Sequence, residues 1–231
     1  MSNVSVSDKS PNFSVPTIAG VQVPAAHKVE QALEMGYFAE ILDNLAALIN
    51  PQSGDEFLDL GCYNGALVRR LAPACKLAVG VTEERETALR ASELSWNRHV
   101  SGVQFFCAPL NRLPFKLAHF NSVSAVNVLF QRNDPETVIA EMKRVAVPKG
   151  QLFFLEPSDL MNAESMDHFI SQQGITGYSA QFMVNWGKLA EDKKPRPRQD
   201  VEETMISAGL EIVDAKPLMN GLAYIIACKK G

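Results

Sequence analysis

Apolar residues recur at helical spacing in the segment His27–Asn50. This i, i+3, i+4 spacing is typical of an amphipathic helix, and the residues that carry it are Val29, Leu33, Phe38, Ile41, Leu42, Leu45 and Leu48. The pattern predicts either one long helix or two short helices broken near Gly36. The turn-forming residues of Asn50–Gly54 end the helical pattern.

A regular alternation of apolar runs and helical patterns follows. The apolar runs predict five strands, at Glu56–Leu60, Lys76–Val81, Gly102–Cys107, Asn121–Leu129 and Gln151–Leu155. Helical patterns separate them, at Asn64–Leu71, at Glu84–Arg98 and from Asp134 to about Val145, and a turn at Pro148–Gly150 precedes the fifth strand. Such alternation indicates parallel strands joined by helical crossovers. Because the runs are almost continuously apolar, we expect helices on both faces of the sheet.

The end of the chain departs from this alternation. Val201–Ala208 is predicted as a helix, and Leu210–Ala215 and Leu222–Cys228 as two strands. The link Lys216–Gly221 is too short for a parallel crossover, so these strands must pair antiparallel. We therefore expect an α/β fold with a seven-stranded, mostly parallel sheet that ends in an antiparallel hairpin.

The length of 231 residues fits one domain with extensions. Residues 1–26 have no clear periodicity and are interpreted as a flexible N-terminal arm. Residues 27–231 form the domain, and residues 157–200 form a less regular insertion that would cap the substrate site.

Composition excludes several classes of function. A net charge of −4 argues against broad nucleic-acid binding, which usually leaves a basic footprint. There is no apolar run of about 18 residues, so no membrane span is expected. The polar start of the chain lacks the apolar core of a signal peptide, which makes the cytoplasm the expected location. The four cysteines form no CxxC pair and suggest no metal site.

The chemistry is expected in the loop Asp59–Gly65, which joins the first strand to the next helix. Its glycines allow a tight turn and a close approach of the backbone to a ligand. Ligands of open α/β sheets bind at the carboxyl ends of the strands, where this loop lies. The dinucleotide-binding pattern G-x-G-x-x-G fits poorly, because Tyr63 and Ala66 occupy two of its glycine positions.

The loop resembles instead the D-x-G-x-G-x-G motif of class I S-adenosylmethionine-dependent methyltransferases, with Asp59, Gly61 and Gly65 in place and Tyr63 at the middle glycine. Four further segments are similar to motifs of this family in the same order: Val79–Glu83, Leu113–Phe115, Phe120–Val123 and Arg144–Gly150. The resemblance covers residues 55–156 and 205–229. It implies a Rossmann-like fold and methyl transfer from S-adenosylmethionine to a small organic substrate, as in the quinone-ring methyltransferases.

The resemblance also implies a set of cofactor-binding residues: Asp59, Gly61, Cys62, Tyr63, Gly65, Thr82, Glu83, Pro109, Leu110 and Asn127. The sequence departs from the family at four positions near the expected site. Besides Tyr63, Thr82 stands where an acid usually binds the ribose, with Glu83 one residue later, Pro109 stands where an aspartate contacts adenine, and Asn121 replaces another aspartate. These departures keep an alternative open, that of a divergent protein with the same fold that binds another ligand or acts as a partner subunit.

The acceptor side is less specified. The residues of the predicted cap are rich in aromatic and methionine side chains, which suits an apolar or flat small molecule or a simple packed lid. Candidate general bases are Glu156, His168 and His27, followed by Asp159 and by His119 in a predicted surface loop. The segment Lys193–Arg198 carries four positive charges and is either a solvated loop or a site for an anionic substrate or acidic partner. A homodimer is possible.

Overall fold

The computed structural model describes Glu30 and residues 32–231. The predicted N-terminal arm, and His27, lie outside the described residues. The helices are α1 (Tyr37–Ile49), α2 (Ala66–Leu71), α3 (Arg85–Asn97), α4 (Pro135–Val145), α5 (Ala163–Gln173), α6 (Gly177–Lys193) and α7 (Arg198–Ser207). The strands are β1 (Glu56–Leu60), β2 (Leu77–Thr82), β3 (Val103–Cys107), β4 (Phe120–Val126), β5 (Ala146–Pro157), β6 (Leu210–Leu218) and β7 (Ala223–Lys230).

The strands form one seven-stranded sheet in the order β3-β2-β1-β4-β5-β7-β6. Strands β1 to β5 are parallel, with Leu58 of β1 opposite Val79 of β2 and Val123 of β4. Strand β7 runs antiparallel to both β5 and β6. This arrangement confirms the predicted fold class, including the hairpin at the end of the chain.

Two apolar layers cover the sheet. Because successive strand residues point to opposite faces, Phe57 packs into the layer of α1, α2, α5 and α6, whereas its neighbour Leu58 packs into the layer of α4 and α7. Phe153 and Phe154 of β5 divide in the same way, and all four side chains are buried. Burial of each such side chain contributes roughly 1.5–3 kcal/mol. None of the described helices is long and apolar enough to cross a membrane.

The segment predicted to be irregular is in fact helical, which corrects the sequence interpretation of residues 157–200. Helix α5 begins at a reciprocal cap in which the Asn162 side chain accepts from the Ser165 N–H and the Ser165 hydroxyl accepts from the Asn162 N–H. Helix α6 then packs closely on α5 at Gly187, where a Cβ atom would lie 2.7 Å from the Cβ of Met166. The two helices form an antiparallel pair, and together with α1 they cover one face of the sheet.

Two predicted boundaries also move. Strand β4 ends at Val126, and the predicted strand residues that follow include the start of a short 3₁₀ turn at Leu129–Gln131. Strand β5 begins at Ala146, and the predicted turn at Pro148–Gly150 lies inside it as an irregularity of the pairing with β4.

The N-terminal helical segment is broken at Gly36, as the two-helix alternative predicts. Gly36 has a φ of 113°, which a helix interior does not allow, and α1 begins at the next residue. Before the break, Glu34 pairs with the buried guanidinium of Arg69 and, at 2.7 Å, with Arg98. Glu30 accepts from Arg98 at 3.2 Å. These ion pairs hold the start of the described chain against α2 and α3.

Candidate functional site

The glycine bend after β1 has the backbone conformation that its sequence predicts. Gly61 and Gly65 have φ angles of 67° and 77°, in the left-handed region that side chains disfavour. A Cβ atom at Gly61 would lie 2.5 Å from Cγ2 of Val128, and one at Gly65 would lie 2.5 Å from the ring of Phe105. Both glycines are therefore required by close packing within the protein as well as by the turn.

Tyr63, at the middle position of the bend, also has a positive φ, of 45°. The residue is 45% exposed, and burial of the remainder of its ring, followed by the charge of Glu84, raises the pKa of its phenol. The ring of Tyr63 is therefore partly covered at the bend.

Two buried amide atoms beside the bend have no hydrogen-bond partner among the described residues. They are Nδ2 of Asn64, in the bend after β1, and Oδ1 of Asn127, which follows β4. Other groups of these residues are engaged: Asn64 Oδ1 accepts from the Ala66 N–H at 3.1 Å, and the Asn127 N–H donates to the Leu155 carbonyl at 2.7 Å. Since β1 and β4 are neighbours, a buried donor and a buried acceptor flank the carboxyl end of β1. An unsatisfied buried polar atom costs roughly 1–3 kcal/mol, which a polar ligand or water would remove.

The acid at the end of β2 is Glu83, and it already has two partners. Its Oε1 accepts from the Leu110 N–H at 3.2 Å, and its Oε2 pairs with Arg132 at 2.7 Å. Arg132 also binds Asp134 at 3.0 Å, and Asp134 accepts from the Asn111 amide at 2.8 Å. These contacts connect the segments that follow β2, β3 and β4, above the carboxyl end of β1.

The other positions predicted to bind adenine and ribose have fewer hydrogen-bonding groups that a ligand could reach. Thr82 is buried, and its hydroxyl accepts from the Glu84 N–H at 3.4 Å. Pro109 is exposed, and the N–H of Leu110, another of the predicted cofactor-binding residues, donates to Glu83. Among these positions Glu83 is the one with an exposed carboxylate at the carboxyl edge.

Asp59 and Cys62 lie beneath the bend. Asp59 accepts from the Ser124 hydroxyl at 2.6 Å, and its complete burial raises the pKa of its carboxyl to about 7. Burial, followed by the neighbouring charge of Asp59, raises the pKa of the Cys62 thiol well above its ordinary value. The Cys62 thiol packs against Gly80, where a Cβ would lie 2.7 Å from the sulfur. Both side chains thus pack beneath the bend.

One predicted departure from the family is not at this site, which corrects the expectation that all four lie near it. Asn121 is at the start of β4, and its Oδ1 accepts from the Glu56 N–H at 2.9 Å. The start of a parallel strand lies at the amino edge of the sheet, opposite the glycine bend. A cavity of about 550 Å³ opens at that amino edge, away from the candidate site.

The candidate bases are dispersed. Glu156 is buried at the end of β5 and accepts three backbone N–H groups, those of Val128, Leu129 and Phe130, at 3.0, 2.8 and 3.1 Å. Burial raises its pKa to about 7 although these hydrogen bonds oppose the shift. His168 is exposed on α5 and contacts Gln172 at 2.9 Å.

The predicted aromatic cap is largely packed against itself. Phe38 of α1 contacts the rings of Phe182 and Trp186 at centroid distances of 4.9 and 5.2 Å, and Tyr37 contacts Phe169 at 5.4 Å. Such edge and tilted contacts stabilise the pairing of α1 with α5 and α6. Helices α1, α5 and α6 therefore form a common cover on the face of the sheet that carries Phe57.

Two members of the site, Asn64 and Arg132, were missed by sequence reasoning. Asn64 lies inside the recognised loop, but its significance depends on the burial of its amide, which the sequence does not show. Arg132 meets Glu83, a residue 49 positions earlier in the chain, and no local pattern marks that contact.

The chain is similar to known methyltransferases in sequence. A family model described as "Methyltransferase domain" matches residues 58–154. The 27-O-demethylrifamycin SV methyltransferase of Amycolatopsis mediterranei is 33% identical over 124 residues, which cover 51% of this chain and 46% of that enzyme. The ubiquinone/menaquinone biosynthesis C-methyltransferase UbiE of Acidiphilium cryptum is 28% identical over 187 residues, 78% of this chain and 75% of its own. The chain thus spans about half the length of the first relative and three quarters of the second.

Solved structures agree on the fold. A SAM-dependent methyltransferase from Aquifex aeolicus superposes with a TM-score of 0.64 at 13% identity and covers 87% of this chain and 93% of its own. At this identity the likeness concerns the fold alone. It agrees with the strand order and the C-terminal hairpin described above.

Proposed function

This chain belongs to the class I S-adenosylmethionine-dependent methyltransferase family, and we propose that it transfers a methyl group from S-adenosylmethionine to a small organic substrate. The observation that carries the proposal is the pair of unpartnered buried amide atoms, Asn64 Nδ2 and Asn127 Oδ1, beside the glycine bend. A donor and an acceptor in these positions fit the carboxylate and the ammonium of an amino-acid group. S-adenosylmethionine carries such a group and supplies the methyl group from its sulfonium.

Glu83 is a suitable residue to bind the ribose of the cofactor. A carboxylate that accepts from ribose hydroxyls forms charge-assisted hydrogen bonds, about twice as strong as neutral ones. Thr82 is the buried last residue of β2 and Glu83 is the first exposed one after it. We assign the ribose to Glu83, since a shift of one residue restores the acid that Thr82 lacks.

Arg132 and the Leu110 N–H hold this acid in place. The Arg132 guanidinium holds one oxygen of Glu83 at 2.7 Å, while the Leu110 N–H holds the other at 3.2 Å. Each carboxylate oxygen has further lone pairs, so ribose hydroxyls have acceptors even with both contacts kept. The contacts fix the carboxylate in place before a ligand arrives, which lowers the entropy lost on binding.

For the acceptor we propose an apolar small molecule. The relatives that match this chain act, by their names, on a rifamycin and in quinone biosynthesis. The aromatic and methionine side chains of α1, α5 and α6 pack mainly against one another, so the proposed acceptor class rests on these relatives. Methyl transfer itself depends mainly on alignment of the acceptor with the sulfonium.

Glu156 has a structural role in this proposal. Its two oxygens already accept three backbone N–H groups in the interior of the protein. We do not favour the alternative of a non-methylating protein, because an acid, Glu83, is retained at the end of β2.

The test is a calorimetric titration of the protein with S-adenosylmethionine and S-adenosylhomocysteine. We expect micromolar binding of both, and a loss of roughly tenfold to a hundredfold in affinity for Glu83→Gln. The matched control is Glu86→Gln, an exposed acid in the first turn of α3, which should bind as the unmodified protein does. Absence of binding at millimolar ligand, or an equal loss in both variants, would contradict the cofactor assignment.

A further inference from the structure

A second, smaller cavity lies at the carboxyl edge of the sheet, beside the turn that follows β4. Its volume is about 110 Å³, several times the roughly 30 Å³ that one water molecule occupies in the liquid. The cavity has room for a small polar group but not for a ring system. Its walls include the turn Leu129–Phe130, the end of β5, Tyr224 of β7 and the consecutive residues Lys193–Arg196.

Four cationic side chains line this cavity: Arg132, Lys193, Lys194 and Arg196. Arg132 is engaged with Glu83 at 2.7 Å and with Asp134 at 3.0 Å, Arg196 with Glu136 at 3.4 Å, and Lys193 with Asp192 at 3.7 Å. Lys194 makes no ion pair with a described residue. The acidic side chain in the lining is Glu156, whose carboxyl is turned to the backbone N–H groups of Val128, Leu129 and Phe130. The lining therefore carries a surplus of positive charge.

Tyr224 adds a hydroxyl group to the residues that line the cavity. Tyr224 is 3% exposed, and no described residue forms a hydrogen bond with its hydroxyl group. Burial, followed by the charge of Glu156, raises the pKa of this phenol, and the charge of Arg196 opposes the shift. With no hydrogen-bond partner among the described residues, the hydroxyl group can donate to a ligand.

The cationic segment is also held firmly in the wall. Pro195 is buried, and Pro197 has the extended backbone angles of φ −50° and ψ 143°. Proline limits the conformations of the segment, so Lys194 and Arg196 are held beside the cavity at a small entropic cost. A loop that served only to keep charge in solvent would need neither a buried proline nor a cavity behind it.

We propose that this cavity binds a phosphoryl group of a small-molecule ligand. A phosphate monoester carries about −1.5 to −2 charges near neutral pH, which fits a lining of several cations better than a singly charged carboxylate does. Its oxygens accept from Lys194, from Arg196 and from the Tyr224 hydroxyl. The site is separate from the cofactor assignment, although Arg132 contributes to both.

The probe is inorganic phosphate, titrated at low ionic strength into the full chain. We expect saturable binding, weakened about tenfold by Lys194→Gln, which removes a charge, and several-fold by Tyr224→Phe, which removes the hydroxyl and keeps the ring. The control is Lys188→Gln, an exposed lysine on α6 outside the lining, which should leave the affinity unchanged. Thermal unfolding of Tyr224→Phe verifies that the protein remains folded.

Three results would overturn the proposal: no saturable binding, equal weakening by Lys188→Gln and Lys194→Gln, or binding of acetate as tight as that of phosphate at matched ionic strength. A parallel titration with S-adenosylhomocysteine separates this site from the proposed function. Loss of phosphate binding with the nucleoside still bound removes the phosphoryl site alone. Phosphate binding without nucleoside binding removes the cofactor assignment alone.

Discussion

Replacement of Glu156 by glutamine tests how burial and hydrogen bonding balance at the end of β5. Glu156→Gln keeps the shape and one acceptor oxygen, but its NH₂ group faces the Phe130 N–H that the carboxylate accepts at 3.1 Å. An unsatisfied buried donor costs roughly 1–3 kcal/mol. On the other side, burial raises the pKa of Glu156 to about 7 from its ordinary 4.5. That gap corresponds to roughly 3 kcal/mol of preference for the protonated form.

The sign of the pH dependence follows from the raised pKa. The folded protein binds this proton more tightly than the unfolded chain, so the stabilisation is complete below pH 4.5 and is lost as the pH rises to about 7. Glutamine does not titrate. The free energy of unfolding of the unmodified protein should therefore exceed that of Glu156→Gln by a margin that shrinks by roughly 2–3 kcal/mol between about pH 5 and about pH 8.

Urea unfolding of both proteins at the two pH values measures this margin. Asp59 also has a raised pKa, but both proteins contain it, so its contribution to the pH dependence cancels in the difference. Glu203→Gln, an exposed acid on α7, is the control and should show the same stability as the unmodified protein at both pH values within about 0.5 kcal/mol. A margin that stays constant with pH would refute the assignment of a buried, protonated Glu156.

Three further predictions concern the glycine bend, Asn127 beside it, and the segment that precedes the break at Gly36. Gly65→Ala should lower the free energy of unfolding by roughly 2–4 kcal/mol, because its φ of 77° and a ring carbon 2.5 Å from the new Cβ both oppose it. The control is Gly174→Ala, with a φ of 63° and open space around it, which should lower the free energy of unfolding by only about 1 kcal/mol. Thermal unfolding measures both variants. Asn127→Ala should leave stability almost unchanged but weaken S-adenosylhomocysteine binding at least about fivefold by calorimetry, and a large loss of stability would mean that its amide is structural. Glu34→Gln, which leaves a buried guanidinium unpaired, should cost roughly 3 kcal/mol in urea unfolding, whereas Asp43→Asn, in a more exposed pair, should cost less than about 1 kcal/mol.

Local chemistry made much of the fold predictable. The apolar run of β1 is bounded by turn residues on both sides, and the strand has the predicted limits Glu56–Leu60. Helix α4 begins at Pro135, as the Asp134–Pro135 pair indicates, because proline suits the first turn of a helix. The short link before β7 excluded a parallel crossover and so determined the direction of the last strand.

The helical pair α5 and α6 was not predictable in the same way. Helix α6 contains Gly177 at its start and Gly187 near its middle, and glycine disfavours a helix interior. The structure shows why Gly187 is tolerated, since α5 approaches too closely for any side chain there. The close contact between these two consecutive helices outweighs the local preference of one residue.

In the candidate site too, local features were predictable from the sequence and contacts between distant residues were not. The glycine bend was predictable, because its residues are adjacent in sequence and their conformation is local. The partner of Glu83 was not, because Arg132 reaches it across the carboxyl end of β1. The position of Asn121 away from the candidate site could have been predicted. A residue at the start of a parallel strand lies at the amino edge of the sheet, whereas ligands bind at the carboxyl edge.

The turn after β4 connects the two sites at the carboxyl edge. Glu156 fixes Val128, Leu129 and Phe130 through their N–H groups, and Arg132 follows this turn directly. The guanidinium then reaches Glu83 on the side of the glycine bend, while the same residue lines the smaller cavity. The turn is thus a common wall, and its geometry depends on one buried carboxyl group. Because a loosened turn moves Arg132 relative to Glu83 and to the cavity alike, Glu156 acts on both sites through position.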